Sequence, residues 1–111
     1  MADSYKVEAF IRPDKLDMVK HILIQNGFRG MTITKAEGIG DEMGMYRSDL
    51  ERPIPRPTDR LEVIVGSEPQ AIMVRDLIAE SARTGNIGDG RAHYYLVKGV
   101  IQIRTGKPYP S

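Results

Sequence analysis

The segment TGNIGDGR, residues 84–91, has the residue types of an anion-binding loop. It combines three glycines with one carboxylate and a terminal cation, namely Gly85, Gly88, Gly90, Asp89 and Arg91. Glycine has no Cβ, so backbone N–H groups can converge on a phosphate. The segment matches neither GxxxxGK[ST] nor a dinucleotide fingerprint, because it follows a predicted helix rather than opening one. The residues alone leave two interpretations open, a phosphate-binding loop and a plain helix-to-strand connection.

A second glycine cluster, GIGDEMG at 38–44, stands where a predicted strand gives way to a long irregular segment. That segment, residues 39–59, contains three prolines and shows no sustained hydrophobic period. Loops of this length inside a domain are uncommon and are usually functional or disordered. Two glycine-rich corners and a long loop could enclose a ligand, and ordinary turn chemistry remains the alternative.

Other site chemistries have little support in the sequence. The chain has no cysteine, its two histidines, His21 and His93, are far apart, and no GxSxG motif occurs. We therefore predict no catalytic residue, no metal site and no enzymatic activity. Lys and Arg number 16 against 15 Asp and Glu, and the two phenylalanines form no RNA-binding aromatic run, so nucleic acid is not an expected partner.

The composition suits one domain spanning residues 1–111, with 41% apolar residues to supply a core. The first ten residues, MADSYKVEAF, lack the pattern of a signal peptide. No stretch approaches the length of an apolar membrane span. We expect a soluble cytoplasmic protein with no direct membrane insertion.

The hydrophobic pattern predicts the element order β-α-β-β-α-β, the ferredoxin-like pattern of an α+β sandwich with two helices on one face of an antiparallel sheet. Alternation predicts a first strand at 5–12, with Tyr5, Val7, Ala9 and Ile11 on its buried face, and a strand at 60–66 with Leu61, Val63 and Val65 on one face. The predicted helices span about 13–26 and 68–83, and the remaining strands 30–38, 60–66, 92–97 and 100–105. The predicted helix core positions are Leu16, Val19, Ile22, Leu23, Ile72, Leu77, Ile78 and Ala82.

Four segments resemble the PII signal-transduction family: VEAFIRPDKLDMVKHIL, GFRGMTITKAEGIG, ARTGNIGDGR and VIQIRTGKP. The combination of TGxxGDG with a later IRTG is the most specific part of this resemblance, which covers nearly the whole chain except the middle of 39–59. The resemblance implies a homotrimer that binds adenine nucleotides in clefts between subunits. It also implies that residues 39–59 form the family's T-loop, which changes conformation with the ligand and docks on a target protein.

The resemblance assigns a nucleotide-binding role to ten residues. It implies phosphate contacts for Gly88, Asp89, Gly90 and Arg91, with Arg91 standing where the family usually has lysine, and for Arg104, which would reach phosphate across the subunit boundary. It implies an adenine pocket formed by Thr32, Glu62 and the backbone near Ile64. Gly38 and Gly40 correspond to the root of the T-loop.

Several positions depart from the family pattern. Asp41 and Glu42 replace the usual Arg-Gln at the T-loop root, Thr58 replaces a lysine, and Gln102 replaces an arginine. A carboxylate at Glu42 would repel the dianion 2-oxoglutarate. Lost cationic contacts to the outer phosphate imply that ADP or AMP binds at least as well as ATP. The T-loop is shorter than is usual in the family. It also lacks the tyrosine that the family modifies covalently, and Glu51 stands near the corresponding position in the sequence.

These departures favour a divergent PII-like branch, with bicarbonate as the candidate second signal. In the T-loop, Asp41, Glu42, Tyr46 and Arg47 are expected to serve recognition of the target protein. The expected function is a regulatory, non-enzymatic sensor of ADP, AMP or ATP that holds no cofactor. The alternatives are a nitrogen-regulatory PII protein that binds ATP and 2-oxoglutarate, a PII-like protein linked to metal efflux, a slow phosphoanhydride hydrolase using Arg91, Arg104 and Asp89, and a structural oligomer.

Overall fold

The fold is organised around a four-stranded antiparallel sheet in a computed structural model that describes residues 3–40, 46–47, 52–53 and 55–110. The first half contains β1 (Ser4–Ile11), a 3-10 turn (Pro13–Lys15), α1 (Leu16–Gln25), β2 (Thr32–Gly38), β3 (Tyr46–Arg47) and β4 (Arg52–Pro53). The second half contains β5 (Arg56–Val65), α2 (Glu68–Ala82), β6 (Gly90–Val97), β7 (Ile101–Gln102) and β8 (Lys107–Pro108).

The main sheet has the strand order β2-β5-β1-β6, with every neighbouring pair antiparallel. Two cross-strand rows of paired residues matter for the site. One row runs Lys35, Asp59, Ile11, Gly90 and the other runs Thr32, Glu62, Glu8, His93. With two helices on this sheet, the structure confirms the predicted ferredoxin-like α+β class.

The core lies between the helices and one face of the sheet. The predicted alternation in β1 and β5 is confirmed, because Val7, Ala9 and Ile11 in β1 and Leu61, Val63 and Val65 in β5 are buried. The helices bury Val19 and Leu23 from α1 and Ala71, Val74, Ile78 and Ala82 from α2. Of the predicted helix positions, Leu16, Ile22, Ile72 and Leu77 are only half-buried.

The predicted strand at 60–66 starts earlier in the structure, because β5 already begins at Arg56. Proline interrupts a ladder only where its missing N–H would have had a partner. Pro57 pairs with Glu37 of β2, whereas the pairing of β5 with β1 stops at Asp59, so Pro57 lies beyond the end of β1. Because prolines are typical of loops, the sequence placed the start of this strand too late.

The predicted strand at 100–105 is also shorter than expected. Its first residues form β7, a turn follows at 103–106, and β8 pairs back with β7 in a separate two-stranded sheet. Gly106 stands in this turn at φ +69°, a left-handed conformation that glycine adopts without steric cost. The last segment of the described chain is therefore a small hairpin rather than a fifth strand of the main sheet.

Candidate functional site

The glycine-rich loop before β6 is held together by one carboxylate. Asp89 accepts hydrogen bonds from Thr84 N at 2.8 Å, Thr84 Oγ1 at 2.5 Å, Gly85 N at 2.9 Å and Arg12 Nε at 3.1 Å. The Thr84 hydroxyl, followed by the two backbone amides and the Arg12 guanidinium, holds the pKa of the Asp89 carboxyl far below its usual range. Asp89 therefore shapes the loop from within, and its side chain is already engaged.

Two glycines let this loop lie directly against β1. Gly90 has φ +92° and pairs with Ile11, and a Cβ at this position would overlap the carbonyl oxygen of Phe10. Gly88 has φ +105°, and a Cβ there would lie 3.0 Å from Arg12 Nη2. Gly90 is thus required by close approach to backbone as well as by its conformation, whereas at Gly88 the left-handed backbone is the main requirement, because the Arg12 side chain can shift.

Arg12 is a residue of this site that the sequence did not identify. In addition to its bond to Asp89, its Nη2 donates to the carbonyl oxygen of Ile87 at 2.8 Å. The guanidinium therefore lies beneath the loop and brings positive charge against its backbone. In the sequence Arg12 is merely the last polar residue of an alternating strand, and only its position immediately before Pro13 sets it apart.

A cavity of about 290 Å³ joins the glycine-rich loop to the root of the T-loop. Its lining includes Arg12, Arg56, Thr58 and Gly88. Thr58 is buried, and its Oγ1 donates to the carbonyl oxygen of Ile11 at 2.9 Å. Its side chain therefore links β5 to β1 and brings no positive charge to the cavity. The lining also contains Asp14, so two arginines and one carboxylate border this cavity. A small anion that lies at the arginines is a candidate ligand.

Three further predicted residues lie near this end of the molecule. Gly38 ends β2 and pairs with Arg56, while Gly40 follows it in the chain at φ +151°. Arg91 lies over the ring of Phe10, with its Cζ 5.0 Å from the ring centroid, on the helix-free face of the sheet. Arg91 is exposed, so its guanidinium keeps N–H groups open to solvent.

The predicted base-binding residues line a different cavity, of about 350 Å³. Thr32 and Glu62 are paired across β2 and β5, and Ile64 follows on the same face of β5. The remaining lining residues are Lys6, Gly30, Met31 and Tyr109. The structure thus brings Thr32, Glu62 and Ile64 together, and it adds a cation and an aromatic ring that the sequence did not indicate.

The carboxylate in this second cavity belongs to a network of ion pairs. Glu62 contacts Lys6 through Oε2 and Arg60 through Oε1, the latter at 3.0 Å. Arg60 also reaches Glu8 at 2.7 Å, and Glu8 contacts His93 at 3.2 Å. The hydrogen bond from Arg60 lowers the pKa of Glu8, and the bond to Glu62 raises the pKa of Lys6. The helix-free face therefore carries alternating fixed charges.

Within one chain, the two halves of the predicted site lie apart. Gly90 and Arg91 belong to β6 and Thr32 to β2, the two edge strands of the sheet. Three spacings of about 4.8 Å separate these edges, a distance of roughly 14 Å. Arg104 belongs to neither cavity and lies exposed in the turn at 103–106.

The predicted T-loop residues are only partly described. Asp41 and Glu42 lie outside the described residues. Tyr46 and Arg47 form β3, which pairs antiparallel with Arg52–Pro53 of β4, so these four residues are paired backbone where the sequence predicted an irregular loop. Their roles in recognition remain predictions.

The described part of the chain holds no group of three or more His, Cys, Asp or Glu side chains arranged to bind a metal ion. Across the same residues, neither helix is long and apolar enough to cross a membrane.

Comparison with known proteins gives a consistent family. A family model described as "Nitrogen regulatory protein P-II" matches residues 4–107. The chain is 41% identical over 105 residues to nitrogen regulatory protein P-II of Synechocystis sp., covering 92% of this chain and 93% of the relative. It is 40% identical to the protein of that name from Pasteurella multocida, with the same coverage. Nitrogen regulatory protein P-II 2 of Methanothermobacter thermautotrophicus is 38% identical, over 92% and 90% of the two chains.

Proposed function

The chain belongs to the nitrogen regulatory protein P-II family, and from this premise we propose that it is a regulatory protein that binds adenine nucleotides in clefts between the subunits of a homotrimer. In this proposal the nucleotide is a ligand and not a substrate. Binding changes the conformation of the T-loop, residues 39–59, which then recognises a target protein. In this mechanism the charge of the bound nucleotide shifts the T-loop from one conformation to another.

The observation that carries this proposal is the separation of two complementary half-sites on opposite edges of one sheet. The loop at 84–91 offers backbone N–H groups and the cation Arg91, and the Thr32 cavity offers hydrogen-bonding groups that suit a base. A second copy that brings its β2 edge against the β6 edge of the first would join the halves. A ligand with an anionic end and a flat polar end fits such a cleft.

The residues divide the work in this proposal. The backbone of Gly88 and Gly90, with Arg91, contacts phosphate, and Arg104 of a neighbouring subunit adds a further cation. Asp89 contributes through the loop that it organises, because its oxygens already accept four hydrogen bonds. Thr32, Glu62 and the backbone at Ile64 contact the base.

The outer phosphate has fewer charged partners than the family pattern supplies. The Thr58 hydroxyl already donates a hydrogen bond to the Ile11 carbonyl oxygen. This supports the proposal that Thr58 does not contact a third phosphate. We therefore propose that ADP and AMP bind at least as tightly as ATP. Bicarbonate is the proposed second signal; the proposal is supported by the cavity beside Gly88, whose lining includes Arg12 and Arg56 together with Asp14.

The second candidate is a nitrogen-regulatory protein that binds ATP with 2-oxoglutarate. The names of the relatives favour it. Against it stand Asp41 and Glu42, carboxylates at the sequence positions where the family pattern has Arg-Gln, because a carboxylate would repel 2-oxoglutarate.

The test is calorimetric titration of the purified protein with ADP, AMP and ATP, each with and without bicarbonate, and of ATP with Mg²⁺ and 2-oxoglutarate. We expect ADP binding that bicarbonate strengthens and 2-oxoglutarate leaves unchanged. Tightening of ATP by 2-oxoglutarate would instead establish the second candidate. Absence of binding by all three nucleotides would refute the proposal.

The residue test is Arg91→Ala. One lost charged hydrogen bond to phosphate corresponds to about 1.5–3 kcal/mol, so ADP affinity should fall roughly 10- to 100-fold. Lys20→Ala removes an equal charge from the surface of α1 and should leave ADP affinity unchanged. Equal ADP affinity in wild type and Arg91→Ala would remove Arg91 from the site.

A further inference from the structure

Tyr109 forms the wall between two cavities on the β2 side of the sheet. On one side is the cavity of about 350 Å³ with Thr32 and Glu62, and on the other is a cavity of about 470 Å³ that reaches Gln70. Gly30 and Ile64 also line both cavities. Removal of the Tyr109 side chain would therefore join the two spaces.

The backbone around Tyr109 is fixed in place by the rest of the molecule. Its N–H donates to the carbonyl oxygen of Val100 at 3.0 Å, and its own carbonyl accepts from Oγ of the buried Ser4 at 3.0 Å. Pro108 and Pro110 flank it and restrict the chain on both sides. The ring is thus held at the cavity before any ligand arrives.

The far end of the ring meets a glycine. A Cβ at Gly30 would lie 3.4 Å from the Tyr109 hydroxyl oxygen, so the ring reaches across to the segment that precedes β2. The half-buried ring therefore spans the cavity wall from the C-terminal segment to the Gly30 backbone.

The remaining lining suits one edge of a heteroaromatic ring. Thr32 supplies a donor and an acceptor, and Ile64 offers an apolar surface. Lys6 and Glu62 add a cation and a carboxylate that pair with each other at this cavity. Sites for flat ligands typically combine such apolar and aromatic walls with a few polar groups, in volumes of about 300–1,000 Å³.

We propose that Tyr109 is a base-contacting residue of this site, whose ring forms a flat wall against the purine and whose removal loosens and enlarges the pocket. This inference rests on the proposed function, because it takes the Thr32 cavity to be the base pocket. It assigns a contact with the base to the segment that follows β8, in addition to Thr32, Glu62 and Ile64, which the family resemblance implies.

The first measurement is the ADP affinity of wild type, Tyr109→Ala and Tyr109→Phe by calorimetry. Stacking of a base on an aromatic side chain contributes about 1–3 kcal/mol, so Tyr109→Ala should weaken ADP binding about 10-fold or more. Tyr109→Phe keeps the ring and should restore most of the affinity. Ile103→Ala, at a residue that is 97% exposed in the same hairpin, is the control and should bind as wild type does.

A second measurement does not require the ring to be deleted. The chain has no tryptophan, so Tyr109→Trp provides a single fluorescent reporter at the wall. ADP should change the emission of the introduced indole with a midpoint that matches the calorimetric affinity. A purely structural role for Tyr109 predicts no such change at saturating ADP.

The outcomes separate the two proposals. If wild type binds no ADP, the proposed function fails and the role of Tyr109 fails with it. If wild type binds ADP while Tyr109→Ala binds equally well, or the indole emission of Tyr109→Trp ignores saturating ADP, only the role of Tyr109 is refuted. Weak binding by both Tyr109→Ala and Tyr109→Phe, at unchanged indole emission in Tyr109→Trp, would also overturn it.

Discussion

Two carboxylates at the same end of the sheet have opposite surroundings. Asp89 precedes Gly90, and Asp59 lies in the cross-strand row that contains Gly90 and Ile11. Asp89 accepts four hydrogen bonds, two of them from backbone amides. Asp59 is fully buried, yet its Oδ1 accepts one bond from Lys35 at 2.8 Å, and its Oδ2 finds no partner in the described part of the chain.

The difference shows that a carboxylate can stabilise one segment of the fold while another carboxylate lowers the stability of a neighbouring segment. Asp89 satisfies backbone donors that the loop would otherwise leave to water, so its charge stabilises a defined loop shape. Asp59 is removed from water while its partner Lys35 is 76% exposed, so its desolvation is poorly compensated. We infer that Asp89 stabilises the glycine-rich loop, whereas Asp59 weakens the paired segment of β2 and β5 around Lys35 and Asp59.

The comparison is tested most strongly at Gly90. Gly90→Ala should lower the free energy of unfolding by about 3 kcal/mol or more, because the Cβ meets the Phe10 carbonyl and the backbone is left-handed. Chemical denaturation measures this loss. Gly85→Ala is the matched control, with φ +89° but nothing within 4 Å of its Cβ, and should cost only about 1–2 kcal/mol. Equal losses would mean that contact with β1 does not determine the loop.

Asp89→Ala should lower the free energy of unfolding by about 2 kcal/mol at neutral pH, because a charged acceptor is lost. The effect should depend on pH. The folded-state pKa of Asp89 is lowered from its ordinary 3.8, so its stabilisation is present above that value and is lost as the pH falls below it. The wild type and Asp89→Ala should therefore converge in stability in acid.

Denaturation curves at neutral pH and in acid measure this convergence. Asp76→Ala is the control, since Asp76 is exposed on α2 and pairs only with the neighbouring Arg75 in the described structure. It should change stability by less than about 0.5 kcal/mol at either pH. A constant difference between wild type and Asp89→Ala at all pH values would show that the carboxylate charge is not what stabilises the loop.

The sequence predicted the regular parts of this region and missed its internal contacts. Alternation in β1 and β5 identified the buried faces, because period-two patterning follows directly from strand geometry. The glycines of TGNIGDGR were recognised as a candidate loop, but spacing did not reveal that Asp89 turns inward or that Arg12 meets it from 77 residues away. Long-range partners of this kind depend on the tertiary fold.

The C-terminal segment illustrates the same limit. Its IRTG motif pointed to Arg104, which lies in an exposed turn, whereas Tyr109 lines two cavities and was not singled out. An isolated aromatic residue between two prolines carries no periodic signal. Its position follows from backbone bonds to Ser4 and Val100, which join the two ends of the described chain.

The smallest expected effect concerns the other carboxylate. Asp59→Val should raise the free energy of unfolding by about 1 kcal/mol, because a β-branched apolar side chain suits a buried strand position and removes a poorly paired charge. Lys35→Ala should destabilise the wild type by about 1 kcal/mol and leave the Asp59→Val protein unchanged. A double-mutant cycle from denaturation curves measures this coupling. If Asp59→Val is less stable than wild type, the Asp59 carboxylate stabilises the pairing of β2 with β5. Both aspartates would then stabilise the fold, and they would differ only in their partners, backbone amides for Asp89 and Lys35 for Asp59.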